Sequence, residues 1–596
     1  MSSLNLSVIG NCQIAVIVDQ HGRFVWGCFP RYDSDPVFCS LLEADSDAGE
    51  IGFFDFELQN LARSEQAYEP NTAILRTTLT DESGGAVRIV DYAPRYTQYG
   101  RSYHPIMVVR QISPVAGAPA IRIRLRPAAH YGDRKPNVTH GSNHIRFENG
   151  EYTLRLTTNA QLSAVLEESL FVLEKPITLI LGPDETIPES PEKINREMYG
   201  ETRAYWQGWT RALSIPFEWQ QEVIRAAITL KLCTFEDTGA VLAALTTSIP
   251  ESPDSGRNWD YRFCWLRDSY YTVQALNSLG ATKTMEEFLR YIFNIVAAHG
   301  KDEDLQPVYG ISGAAELTES TVASLRGYRG MGPVRVGNDA YRQVQNDSYG
   351  AAILAATQSF FDSRLVDRRG QREFELLESL GYRAADLFDR PDAGLWEYRG
   401  RSEVHTYSSV MCWAACDRLA RIAARLGLSE RASYWAGQAG RIRSVILEKA
   451  WSEKQGSFVA SFSSDYLDAS LLTLADLGFV SPQDPKFLGT IAAVEKELRS
   501  GPYLFRYKSE DDFGAPETAF NICTFWYINA LASVGRRDEA RELFDNMLAH
   551  RTSLGLLSED LDPVTGELWG NFPQTYSMVG IIAAATRLSS SWEESL

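Results

Sequence analysis

The spacing of apolar positions along the chain changes once, near residue 190. Before that point the pattern is that of strands. Residues 13–19 and 23–29 are apolar-rich runs on either side of Gln20-His21-Gly22, which predicts a hairpin. From 121 to 126 the alternation is strict, with Ile121, Ile123 and Leu125 on one face and three arginines on the other. Residues 146–148 and 152–157 flank Asn149-Gly150, a second hairpin signal. Many short strands of this kind predict an antiparallel β-sandwich over 1–190. The period then becomes helical. A linking helix is expected within 191–215, ending before Pro216, and the rest of the chain, 216–596, forms a helical unit.

Twelve helical segments follow, near 217–234, 268–279, 282–298, 345–361, 371–387, 407–427, 429–450, 466–477, 485–498, 517–535, 537–549 and 575–590. Their connections alternate in length. The long ones are 235–267, 299–344, 388–406, 451–465, 499–516 and 550–574. Short connections make antiparallel neighbours. Six helical hairpins joined in this way predict a closed (α/α)6 toroid, with all the long loops at one end. The expected fold is therefore multidomain β + α. Functional side chains concentrate on loops held by a rigid scaffold, so the site is expected at the long-loop end.

Composition narrows the chemistry. With 596 residues, 44% apolar and 23% charged, the chain suits more than one globular core. A net charge of -19 argues against a nucleic-acid surface. No apolar run is long enough to span a membrane, and the N-terminus lacks the basic start and apolar core of a signal peptide. The eight cysteines contain no CxxC pair. Cys412 and Cys416 read as buried thiols on a helix face, and a cytoplasmic location with reduced thiols is expected. There is no phosphate loop, serine elbow or zinc motif, so no cofactor and no metal is expected. Asp560 and Asp562, before a glycine out of register for a calcium loop, read as a solvated turn. Whether the chain forms a homo-oligomer is left open.

The long loops are rich in aromatics, arginines and carboxylates: RNWDYRFCWLRDS at 257–269, GYRGMGPVRVGND at 327–339, GLWEYRG at 394–400, LFRYKSEDDFGAPE at 504–517 and LLSEDLDPVTGELWGNFPQ at 556–574. Sugar rings have apolar faces and hydroxyl rims, so their pockets need flat aromatics and forked polar groups. Trp259, Tyr261, Trp265, Trp396, Trp569 and Phe572 are candidates for the first; Arg267, Asp268, Arg335 and Arg506 for the second. Glycoside cleavage also needs two carboxyl groups. Composition does not choose that pair among 77 acidic residues.

Three stretches, WDYRxCWLRD, GLWExRG and SEDxDPxTGExxGNFPQ, occur in the order found in the family-15 glycoside hydrolases, the glucoamylase family, and the chain resembles that family over its whole length. The opening SVIGNCQIAVIVDQHGRFVWGCFPRYDSDPVF is similar to the N-terminal β domain of bacterial and archaeal members, glucoamylases and trehalases among them. The resemblance implies that Glu397 is the general acid and Glu559 the general base. It also implies that Arg267, Asp268 and Arg506 bind hydroxyls and that Tyr261 and Trp265 shape the first subsite. Arg335, Trp396 and Trp569 are carried as further substrate contacts. Glu517 and Glu567 lie nearby and compete for the role of base. The implied activity is an inverting, exo-acting glucoamylase-type hydrolase that releases β-glucose from small α-1,4 or α-1,6 glucans. Trehalase is the alternative. An inverting phosphorylase and a non-catalytic sugar-binding protein are the readings from other classes. The expected partner is a small oligosaccharide or disaccharide.

Overall fold

Alternation along Ser7–Gly10, Ala15–Val18 and Phe24–Cys28 divides their side chains between two cores. Val16, Val18 and Phe24 point into the sandwich and meet Leu75, Val87, Ile89 and Val108 of the facing sheet. Ala15, Ile17, Val25 and Trp26 point the other way and pack with Val223, Ala226 and Ala227 of the helical unit. These strands are therefore buried on both faces and carry no polar stripe. The computed structural model describes residues 3–43, 51–150, 152–298, 304–365, 369–462 and 464–595.

The first sheet has seven strands and the second eight. Both hairpins expected from the sequence are present: Val16 faces Gly27 across one, and Phe147 faces Leu154 across the other. Ile121, Ile123 and Leu125 are buried as the alternation requires. The linking helix, Pro191–Arg211, starts where Ser190 accepts a hydrogen bond from the Lys193 N–H and Pro191 presets the first turn. Its Ile194, Met198 and Tyr199 cover Tyr92, Met107, Val109 and Ile180 on the outer face of the second sheet.

The helical unit closes as a ring of inner segments: Leu266–Ser278, Asp347–Thr357, Thr406–Arg425, Ala469–Thr473, Asn521–Ser533 and Thr575–Leu588. Outer helices Gln220–Leu232, Thr282–Ala298, Gln371–Leu387, Ser429–Lys449, Pro485–Leu498 and Arg537–Ala549 surround it. Inner helices such as Asn521–Ser533 are buried almost all round, whereas outer ones such as Arg537–Ala549 bury a single stripe.

Two expectations need correction. The segment 466–477 is not an α-helix. It is a 3-10 turn, Ala469–Thr473, capped by Asp468, in which the Thr473 hydroxyl bonds the Ser470 carbonyl. Hydroxyl side chains that compete for the backbone favour such tight turns. The helix expected from 517 begins at Asn521, because Ala519–Phe520 pairs as a short strand with Asp560–Leu561.

The sandwich also holds the first long loop. Asp260 and Arg262 form a fully buried ion pair with a closest distance of 2.7 Å. The same guanidinium donates to the Ser34 carbonyl at 2.9 Å and the Tyr131 hydroxyl at 3.1 Å. Trp26 Nε1 donates to the Leu245 carbonyl at 2.8 Å. Arg262→Ala strands Asp260 in the interior, and removing one partner of such a pair costs about 3–5 kcal/mol. A clear fall in the denaturant midpoint is expected, with Arg262→Lys a poor rescue because it loses the fork. An unchanged midpoint would show that the junction does not depend on this pair.

Candidate active site

Every long loop runs from an outer helix to an inner segment, so all six reach the same end of the ring. There five of them enclose a cavity of about 910 Å³, open solvent at its mouth included. The first loop supplies Glu251, Arg257, Trp259, Tyr261 and Trp265, and the inner helix after it supplies Arg267 and Asp268. Trp396, Glu397, Tyr398 and Arg399 come from the third loop, Arg506 and 511–513 from the fifth, and Glu559 from the sixth. The fourth loop, 451–465, contributes no wall residue among the described residues.

The two singled-out carboxyls therefore face one cavity, and the first loop anchors both. Trp265 Nε1 donates to Glu397 Oε1 at 2.6 Å, and the Tyr261 hydroxyl donates to Glu559 Oε1 at 2.6 Å. The two rings lie against each other, centroids 5.5 Å apart. Glu397 Oε1 also receives Gln345 Nε2 at 3.3 Å and Arg267 Nη2 at 3.4 Å. The backbone at Glu397 has φ +59, a conformation that non-glycine residues adopt only when their surroundings impose it. Part of the constraint is visible: Gln343 Nε2 bonds the Glu397 carbonyl at 3.2 Å, and the Glu397 N–H bonds the Gly394 carbonyl at 3.1 Å.

Around Glu559 the charges are crowded. Its carboxylate, that of Glu251 and that of Asp560 present oxygens within 4.8 Å of one another, and all three residues are buried. Three converging carboxylates could hold a cation, but a guanidinium already supplies positive charge here: Arg506 forks onto both oxygens of Glu251. Burial, then the charges of Glu251 and Asp560, push the Glu559 carboxyl well above the usual carboxylate range; the Tyr261 hydrogen bond and Arg506 pull it back. Asp560 is raised as well, mainly by burial and then by Glu251. It is not the solvated turn residue expected from the sequence, because its strand pairs on both sides and buries it. Asp562 does cap a turn, accepting from the Val564 N–H at 2.8 Å. Elsewhere in the cavity, burial lifts Asp268 to about 7, opposed by Arg267.

Of the expected site residues, Tyr261, Trp265, Arg267, Asp268, Trp396, Glu397, Arg506 and Glu559 share the cavity wall. Arg335 and Trp569 do not. Arg335 lies behind the wall, donating to the Asn258 carbonyl at 2.6 Å and pairing with Glu319 at 3.3 Å, 5.9 Å from the Trp259 ring. Trp569 is buried in a short strand and meets Tyr328 edge to face. Their loops reach the site, but strand pairing turns these two side chains away. The competing carboxylates also fall outside the wall: Glu517 is exposed, and Glu567 pairs with Arg329 at 2.6 Å. Sequence reasoning missed Glu251 and Tyr576. Glu251 stands in the first loop but ahead of its motif at 257–269, and Tyr576 opens an inner helix whose apolar run conceals it.

Gly570, at φ +76, backs directly onto Glu559. A Cβ there would meet Glu559 Cβ at 2.6 Å and Oε2 at 2.8 Å. Gly570→Ala must therefore displace this carboxylate. Displacements near 1 Å cost about 10²-fold in rate, so a fall of that order in kcat is the expected result, together with a lower thermal midpoint because alanine is strained at this positive φ. Full activity in the variant would show that Glu559 has no fixed position to lose.

Comparison with known proteins agrees with this architecture. The profile of Glycosyl hydrolases family 15 matches residues 219–586, and that of the trehalase-like N-terminal domain matches 4–166. A trehalase from Thermoplasma volcanium is 32% identical, the alignment covering 97% of this chain and 92% of the relative. One from Mycobacterium tuberculosis is 29% identical over 98% of this chain and 89% of the relative. A bacterial glucoamylase solved in complex with acarbose superposes with a TM-score of 0.68 at 14% identity, covering 98% of this chain and 94% of the other, and so shares the fold. Sandwich, toroid and sequence profile together place the chain in glycoside hydrolase family 15.

Proposed function

We propose that the chain hydrolyses trehalose by a single displacement with inversion, Glu397 acting as general acid and Glu559 as general base. The observation that carries the catalytic assignment is that both carboxyls face one cavity, each held by a different aromatic of the first loop. The choice of substrate rests on similarity to trehalases along the whole length, N-terminal domain included. That similarity reverses the order expected from sequence, which placed small α-1,4 or α-1,6 glucans ahead of trehalose. In this reading 1–190 is the β-sandwich unit, 191–215 the link and 216–596 the catalytic unit.

The terminal glucose sits on the buried floor, where Arg267, Asp268 and the hydroxyl of Tyr576 meet its own hydroxyls and Trp265 and Trp396 its faces. Oε1 of Glu397 is occupied by N–H donors, so the acid's proton belongs on Oε2. It passes to the bridging oxygen as the C–O bond breaks. Glu559 takes a proton from a water that attacks the anomeric carbon from the opposite face. Inverting pairs stand about 6.5–9.5 Å apart to admit that water, and the Tyr261–Trp265 pair is suited to hold such a gap. A phosphorylase would need cations for phosphate. Here Arg257, Arg267, Arg399 and Arg506 are already paired with Asp511, Asp347, Glu319 and Glu251. A mere sugar-binding protein would have no use for the two anchored carboxyls.

Glu397→Gln and Glu559→Gln should each lower kcat by about 10²-fold or more while the fold survives. Near wild-type turnover in either would remove that residue from its role. Inversion of trehalose, read by proton NMR before mutarotation, yields equal amounts of α- and β-glucose; α-glucose alone would mean retention. The base must be ionised to act, so the acidic limb of kcat/KM reports its deprotonation. Glu251→Gln removes a negative neighbour and frees Arg506, both of which favour the ionised form of Glu559. The acidic limb should therefore move to lower pH. A limb that stays in place would separate Glu251 from the base.

A further inference from the structure

The rim of the cavity is tied together across four loops. Trp259 and Phe513 meet edge to face with ring centroids 5.2 Å apart. The Arg399 guanidinium stands 5.6 Å from the first ring and 5.9 Å from the second. Its backbone N–H and that of Gly400 donate to Asp512 at 2.8 and 2.9 Å, and its Nη2 donates to Glu319 at 2.9 Å. Arg257 adds another tie, donating to Asp511 at 2.5 Å and to the Gly514 carbonyl at 2.6 Å. Asp511 in turn accepts the Phe513 N–H at 2.8 Å, which fixes the ring's base.

Burial gives this rim an orientation. Trp265, Arg267, Asp268, Gln574 and Tyr576 are buried and form the floor. Trp259 and Phe513 are half-buried, and Arg399 and Asp512 are exposed, so these stand at the mouth. Glu397 lies between, two residues before Arg399. An acid at that place protonates the oxygen joining the first sugar to the second. The second sugar then lies on the mouth side of Glu397, against Trp259 and Phe513.

We propose that Trp259, Phe513, Arg399 and Asp512 form a clamp around the second sugar and limit the substrate to two sugar units. This rests on Glu397 being the acid, as assigned above. The two aromatic rings offer apolar surface to the faces of the second sugar. A third unit would have to pass between Arg399 and Asp512 or displace Phe513, breaking ties that hold three loops at once. The clamp thus selects by chain length, a property that neither carboxyl can supply.

The test compares wild type with Phe513→Ala and Asp512→Ala on trehalose, maltose and maltoheptaose. Both positions are on the surface side of the site, so the variants should fold. Wild type should favour the better disaccharide over maltoheptaose by about tenfold or more in kcat/KM, and each variant should reduce that preference by about tenfold, through a lower KM for the long substrate. Wild type that takes maltoheptaose as readily as disaccharides overturns the clamp, and so does a preference unchanged in both variants. Cleavage of maltose but not trehalose by wild type overturns trehalose as the substrate and leaves the clamp standing, because the preference is then read on maltose against maltoheptaose.

Discussion

The site depends on one contact, the packing of Tyr261 against Trp265. Each ring carries a single polar atom, and each of those atoms holds a different carboxyl. Two carboxyls that the proposed reaction uses on opposite faces of one sugar are thus each held by one ring of an aromatic pair from a single loop. Catalysis of this kind asks for fixed distance more than for strong binding. Glu397 has a backbone shape it would not choose alone, and the rest of the structure must hold it there.

That loop is not held by the toroid alone. The residue before Tyr261 and the one after it form the buried Asp260–Arg262 pair, whose guanidinium reaches Ser34 and Tyr131 of the sandwich. The sandwich therefore braces the loop that holds both carboxyls without lining the cavity itself. Charges near the site are arranged on the same economical plan. Arg506 neutralises Glu251 and tempers Glu559, so one guanidinium serves both structure and titration. Asp468 caps the 3-10 turn of the inner ring and also accepts Trp396 Nε1 at 2.9 Å, so the shortest inner segment positions a wall aromatic.

Much of this was legible in the sequence. Period-2 alternation at 121–126 and the turn residues at 149–150 located strands correctly, and alternating loop lengths located the open end of the ring. These are local signals, carried by a few neighbouring residues. Failures came where a distant partner decides. Nothing near 517–520 says that these residues will pair with 560–561 and delay a helix. Nothing near Trp569 or Arg335 says that short strands will turn them from the cavity. Glu251 acquires its role only through Arg506, 255 residues away in sequence. The proposed catalytic pair was reached through family resemblance, because spacing among so many acidic residues is silent.

The first three strands, buried on both faces, bear on how the chain is made. They leave the ribosome before the helical unit, yet one of their two apolar faces waits for helix Gln220–Leu232 and the ring behind it. That ring closes only when Thr575–Leu588, near the C-terminus, packs against Leu266–Ser278. At ordinary rates of synthesis the wait is on the order of tens of seconds. During it the nascent sandwich presents a sticky apolar sheet to the cell. An apolar face left open for that long is a site for association with other chains until the helical unit covers it.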